Sequence, residues 1–207
     1  MECKVKKLEN LFAQWKKECT PFIRDGFLTD KNDAKILFIC RESNVSDSSE
    51  KPKDIFWMSE VVKVMLKDKS AYYAIGDITQ KDALTKAKRA QSRYFNCIEK
   101  IAKVFECNLE ECAYMNINKQ GGGDRCDTRR LKEFAQKHTE RIQEEIKIIA
   151  PLRIVILGNL DPGIINIIKR AGEGVKGGIY VYPKHPSVYS SKIISNGEWK
   201  NNDIRNE

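Results

Sequence analysis

The chain has 207 residues, enough for one domain of ordinary to large size, and 41% of them are hydrophobic, which excludes a chain disordered by composition. Its formal net charge of +8 favours a polyanionic partner such as nucleic acid, although lysine-rich surfaces also occur on other soluble proteins. The longest apolar runs are too short to span a bilayer and the first 15 residues lack the apolar segment of a signal peptide, so we expect a cytoplasmic protein without a membrane partner.

Helical and strand patterns alternate along the chain. The spacing of apolar residues predicts helices over 1–19, 55–67, 82–106, 128–149 and 162–170. Short apolar runs predict strands over 35–40, 112–118, 153–158 and 178–183. This alternation predicts a single α/β domain over 1–207, a three-layer α/β/α fold with a central four-stranded parallel sheet flanked by helices. Residues 1–30 are expected to form an N-terminal helical extension and residues 191–207 a C-terminal tail.

The seven cysteines are scattered, and no C-x-x-C pair occurs. Metal and iron–sulfur sites need more closely spaced thiolates. We therefore expect reduced, mostly buried thiols, with no metal and no other cofactor.

Three of the four predicted strands end in unusual polar sequence, namely CRESN, NINKQGGGD and PKHPS. Because ligands bind at the carboxyl ends of parallel strands, these three ends should converge on one crevice. Glu42 there could activate a water, or simply pair with Arg41 in a solvated loop. Asn116 could read the edge of a planar heterocycle, or satisfy local backbone, and Asn118 on the same face has the weaker claim.

Two further features belong to these ends. Gly121, Gly122 and Gly123 offer backbone N–H groups to a phosphate, or form a plain turn, and they are not a P-loop because no Gly-Lys-Ser/Thr follows. His185 is held between Pro183 and Pro186, where its ring could donate to a developing anion. The other histidine, His138, lies on an apolar helix face and is expected to be structural.

In order and spacing, ICRESN, AYMNIN and KHPSVYS resemble the motifs of the uracil-DNA glycosylase superfamily over about residues 35–190. That resemblance implies a monofunctional DNA glycosylase, acting as a monomer on a pyrimidine turned out of DNA. Glu42 matches the residue that orients water, Asn116 the one that reads the base, and His185 the one that stabilises the departing base. Phe56 or Trp57 would stack under the base. The implied DNA contacts are Ser187, the wedge residue Tyr189, Lys184, Lys119, Arg125 and the three glycines.

The chain departs from the uracil-specific pattern after Glu42. Ser43 replaces the usual proline, and Asn44 stands where a bulky tyrosine excludes 5-substituted bases. We therefore expect a preference for a bulky 5-substituted pyrimidine, such as glucosylated hydroxymethylcytosine in phage DNA, with uracil repair as the alternative. Rival classes are a non-catalytic nucleic-acid module, a metal-dependent nucleotide hydrolase and an α/β domain with an unrelated ligand.

Overall fold

A computed structural model of the chain describes residues 3–19, 22, 25–27, 33–44, 97–122, 126–183, 198–201 and 204. The helices of this part are α1 (Lys4–Glu18), α2 (97–104), α3 (Thr128–Lys137), α4 (Thr139–Ile149) and α5 (Pro162–Ala171). The strands are β1 (Gly26–Phe27), β2 (Ile36–Asn44), β3 (Cys112–Gly122), β4 (Arg153–Leu157) and β5 (Ile179–Tyr182). Single 3-10 turns cover Leu109–Glu111 and Glu198–Asn201. The helix predicted over 55–67, and most of the one over 82–106, lie outside the described residues.

These strands form one sheet in the order β1-β3-β2-β4-β5. β3, β2, β4 and β5 run parallel to one another, so the sheet is mostly parallel and the predicted mixed α/β class is confirmed. The predicted number of four strands is wrong, because β1 pairs antiparallel with β3 through Gly26 and Phe27. A strand of two residues is too short to show a periodic pattern in the sequence. Residues 1–30, which were expected to be a helical extension, therefore contain a strand as well as helix α1.

Alternate residues along a strand point to opposite faces of the sheet, and five consecutive residues of β2 are buried, so both faces of the sheet are covered. On one face, Leu37 and Ile39 pack in a cluster that includes the apolar sides of α1, α3, α4 and α5. On the other face, Ile36 and Phe38 pack with the buried residues of α2. Trp199, from the segment predicted as a C-terminal tail, joins this second cluster. None of the helices in the described ranges is long and apolar enough to cross a membrane.

The single helix predicted over 128–149 is wrong, because two helices meet at His138. His138 has non-helical dihedral angles, and Thr139 Oγ1 donates to the carbonyl oxygen of Ala135 in the preceding turn. The imidazole is buried against Trp15 and Phe134, which supports its predicted structural role. Burial lowers the pKa of His138 below its usual value and so favours the neutral ring.

Most cysteines belong to the core, as predicted, because five of the seven are buried. Burial raises the pKa of Cys19 and of Cys97 to about 11, so both are neutral thiols near pH 7. Neutral thiols are poor nucleophiles and poor metal ligands. Across the described ranges, no group of three or more His, Cys, Asp or Glu side chains is arranged to hold a metal ion.

Candidate functional site

β2 and β3 run further than their sequence patterns indicated. β2 continues to Asn44 and β3 to Gly122, and the two residues are paired after an irregularity in the register. The predicted strand ends at residues 40 and 118 are therefore too early, and the plain turn considered at Gly121 and Gly122 is wrong. Continued pairing satisfies the backbone of these polar residues, which local sequence propensity does not reveal.

The extended pairing brings the polar side chains of two strand ends together. Cys40 lies opposite Asn116, and Glu42 lies opposite Asn118, in the parallel register of β2 with β3. Residues two apart on a strand share a face, so Asn116 and Asn118 lie on the face that also carries Phe38. The carboxylate and both amides therefore occupy one side of the sheet near its carboxyl edge.

Glu42 and Asn118 are in direct contact. The Nδ2 amide of Asn118 donates to Oε2 of Glu42 at 3.0 Å. Its Oδ1 accepts from the backbone N–H of Gln120 at 2.9 Å. Because Oδ1 is engaged by the Gln120 N–H, the Nδ2 group, which is the only donor of the side-chain amide, faces the Glu42 carboxylate. Asn118 is buried and Glu42 is half-buried, so the contact lies partly out of water.

Two more residues surround the Glu42 carboxylate. Burial and then the negative charge of Glu42 raise the pKa of the neighbouring Cys126 thiol to about 11, so that thiol is protonated near pH 7. A guanidinium N–H of Arg41 donates to the carbonyl oxygen of Asn159 at 2.7 Å. This bond ties the end of β2 to the loop after β4.

Asn116 lies two residues before Asn118 on β3, further from the carboxyl edge of the sheet. It is 4% exposed, and its Oδ1 accepts from the hydroxyl of Tyr114 at 3.3 Å. Its backbone N–H donates to Oδ2 of Asp25 at 2.6 Å. The Asn116 side chain thus lies on the same face of the sheet as Glu42. Its backbone is held by Asp25, which precedes the edge strand β1.

The prediction that Lys119 contacts a phosphate is wrong. Its side chain is fully buried, and Nζ donates to Oδ1 of Asp25 at 2.7 Å and to Oε1 of Glu145 at 2.8 Å. Lys119 belongs to the opposite face of β3 from Asn116 and Asn118, because strand side chains alternate. Its two carboxyl partners come from the segment before β1 and from α4, so Lys119 joins three parts of the fold.

No family model, curated protein or solved structure matches this chain.

The third part of the predicted site follows β5. Tyr182 ends β5 and is buried against Trp199, and Pro183 after it is exposed. Because β5 is parallel to β4 and β2, the chain leaves β5 at the edge where Glu42 lies. Eight predicted site residues lie outside the described ones: Phe56, Trp57, Gly123, Arg125, Lys184, His185, Ser187 and Tyr189. For Ser43, Asn44, Gly121 and Gly122 the structure describes the backbone.

Exposed basic residues lie in the first turn of α3, a few residues after Cys126. Cys126, beside the Glu42 carboxylate, immediately precedes the N-cap residue Asp127. The Asp127 side chain accepts from the backbone N–H groups of Arg129 and Arg130, which lowers the pKa of Asp127. Both arginine side chains are exposed in the first turn. This helix end is already capped, so its contribution to an anion site would come from the arginine side chains.

The sequence did not reveal that Asn118 contacts Glu42 or that Cys126 lies beside it. The period of two along β3 did place Asn118 on the same face as Asn116, which was the available signal. No local pattern indicates that Cys126 returns to the end of β2, because that contact depends on the path of the chain between β3 and α3.

Proposed function

We propose that this protein is a monofunctional DNA glycosylase with a three-layer α/β/α domain. It hydrolyses the N-glycosidic bond of a pyrimidine turned out of the DNA and leaves an abasic site. It acts as a monomer in the cytoplasm and needs no cofactor. Its preferred base is a bulky 5-substituted pyrimidine such as glucosylated hydroxymethylcytosine, which makes defence against phage its role.

The observation that carries this proposal is the pairing of β2 with β3. It places the carboxylate of Glu42 opposite Asn118 and two residues along the strands from the level of Asn116, on one face of the sheet. In the uracil-DNA glycosylase superfamily, which the strand-end motifs resemble, one residue aims water at the sugar and an asparagine recognises the base. Glu42 takes the first role and Asn116 the second, with His185 contributed by the segment after β5.

The chemistry divides between these side chains. As the glycosidic bond breaks, positive charge grows on the sugar and negative charge on the departing base. Glu42 stabilises the sugar cation and takes a proton from the attacking water. His185 donates a hydrogen bond to the base anion, which is worth roughly 3–4 kcal/mol when compared with single oxyanion-hole donors.

The preference for a large base depends on Asn44. A small amide at that position leaves space beside the 5-position of a pyrimidine, where a tyrosine would exclude substituents. Asn116 accommodates either cytosine or uracil, because its amide can rotate to present the opposite order of donor and acceptor. Ser43 and the aromatic pair Phe56 and Trp57 complete the pocket around the base.

DNA contacts offset the cost of extruding the base, which is a few kcal/mol. The chain's net charge of +8 favours binding to phosphates. Arg129 and Arg130 are exposed in the first turn of α3, and Arg125 precedes them in the sequence. Lys184 and Ser187, which lie on either side of His185 in the sequence, contact the DNA backbone. Tyr189 enters the base stack as a wedge.

A substrate panel tests the proposal. The full chain is incubated separately with glucosylated phage DNA, unmodified DNA of the same sequence and duplexes that contain uracil, and abasic sites are counted after alkaline cleavage. We expect abasic sites in the glucosylated DNA, and their loss in Glu42→Gln and His185→Ala. Glu173→Gln, an exposed glutamate outside the site, is the matched control and should retain the wild-type rate.

Each contrary result has a distinct meaning. Abasic sites from uracil alone would refute the modified-base preference and retain the glycosylase. DNA processing that is unchanged in both Glu42→Gln and His185→Ala would refute catalysis at this site. DNA binding without base release from any substrate would instead support a non-catalytic module. A covalent adduct trapped by borohydride would contradict the monofunctional mechanism.

A further inference from the structure

We infer that Asn118 is a positioning residue for Glu42, an inference that rests on the proposed function. Its role is to hold the Glu42 carboxylate in one orientation, so that the attacking water meets an oxygen whose position is already set. Asn116 and Asn118 thus have different tasks, although they differ in sequence by only two positions. Asn116 recognises the base, and Asn118 acts through Glu42.

The first support is geometric. The Asn118 amide donates to Oε2 of Glu42 at 3.0 Å and accepts from the Gln120 backbone at 2.9 Å. A glutamate side chain has three rotatable bonds, and one hydrogen bond to a fixed donor removes much of that freedom. Because the donor is anchored to the backbone of its own strand, the position of Oε2 follows the geometry of the sheet.

The second support is the environment of the contact. Asn118 is 9% exposed, so its amide is largely shielded from water that would compete for Glu42. The Cys126 thiol, from the segment between β3 and α3, is also near the Glu42 carboxylate. The Asn118 amide is neutral, so it holds the carboxylate without adding a positive charge beside it.

The role predicts a kinetic signature. Misplacing a reacting group by about 1 Å can cost about 100-fold in rate, so Asn118→Ala should lower the single-turnover rate of base release by about that factor. DNA affinity should stay within about two-fold, since positioning acts on the chemical step and not on substrate binding. Asn166→Ala, which removes an exposed amide on α5, is the matched control and should leave both quantities unchanged.

A double-mutant cycle separates action through Glu42 from independent action. In the Glu42→Gln background, Asn118→Ala should lower the residual rate by less than about two-fold, because the group that it positions is already lost. Equal losses in both backgrounds would overturn the inference. So would a weakening of DNA binding that accounts for the loss, because Asn118 would then contact the substrate.

A spectroscopic measurement keeps this inference distinct from the proposed function. If the wild-type chain releases no base from any DNA in the panel, the proposed function fails. The contact itself is read from the side-chain amide resonances of Asn118 in ¹H–¹⁵N spectra of the full chain. They should shift in Glu42→Ala and stay in place in Glu173→Ala. Unmoved Asn118 resonances in Glu42→Ala would refute the positioning role directly.

Discussion

Replacing Lys119 with methionine should destabilise this protein severely. The Lys119 side chain is fully buried and bridges Asp25 and Glu145, whose side chains are 2% and 0% exposed. Burial acts to lower the pKa of Lys119, but the nearby carboxyl groups, Asp25 first, outweigh it and keep the ammonium charged. Methionine matches the length of lysine but offers no charge and no donor, so Asp25 would lose its counter-ion.

The size of the loss follows from this burial. Removing one partner of a buried ion pair leaves an uncompensated charge and typically costs about 3–5 kcal/mol. An exposed pair would contribute only about 0–1 kcal/mol. Since domains are stable by about 5–15 kcal/mol, Lys119→Met should remove a large fraction of the free energy of unfolding. The Asn116 backbone N–H also binds Asp25, so the same change should loosen one side of the candidate site.

Urea unfolding followed by circular dichroism measures this loss at pH 7. Adding Asp25→Asn to Lys119→Met removes the orphaned charge and should restore about half of the lost free energy or more. Lys103→Met is the matched control, because Lys103 is exposed and pairs within its own helix with Glu99. A loss below about 1 kcal/mol for Lys119→Met would refute a buried ion cluster at this position.

Three further predictions concern the same residues and the DNA-binding surface. Burial raises the pKa of Glu145 well above its usual 4.5, so the folded state keeps a proton that the unfolded state loses, and the contribution of Glu145 to stability should fall as the pH rises above 4.5. Glu145→Gln should therefore gain stability relative to wild type across that range in urea titrations, whereas parallel curves would contradict it. Because burial and the charge of Glu42 raise the pKa of Cys126 to about 11, Glu42→Gln should speed alkylation of that thiol at pH 8, measured by peptide mass spectrometry. An unchanged alkylation rate would contradict an effect of the Glu42 charge on the Cys126 thiol. If Arg129 and Arg130 both contact phosphates, replacing them with glutamine should reduce the salt slope of DNA binding by about 1.8, and an unchanged slope in filter binding would exclude them.

The strength of the periodic signals explains which elements were predictable. The helix over 1–19 was confirmed as Lys4–Glu18, and the helix over 162–170 was confirmed as Pro162–Ala171. The strand predicted over 153–158 was confirmed as Arg153–Leu157, because an uninterrupted apolar run specifies a strand buried on both faces. In each case the residues that form the element also carry the pattern that predicts it.

The polar ends of the strands were harder to predict. Glu42 and Gly122 have low strand propensity, yet both lie in strands, because the neighbouring strand supplies the hydrogen bonds that their own sequence does not favour. Lys119 shows the same limit. A lysine among glycines and arginines is typical of a solvent-exposed surface, and only the approach of Asp25 and Glu145 from distant segments allows it to be buried.

The sequence by itself determined the α/β class, the mostly parallel sheet and the presence of polar residues at the ends of its strands, because these depend on periodicity within single segments. The tertiary structure alone decided which of those residues meet. Register places Glu42 against Asn118 and sends Lys119 to the opposite face, and register is a property of two strands together. A difference of one residue along β3 thus separates a side chain beside the candidate catalytic carboxylate from one that stabilises the core.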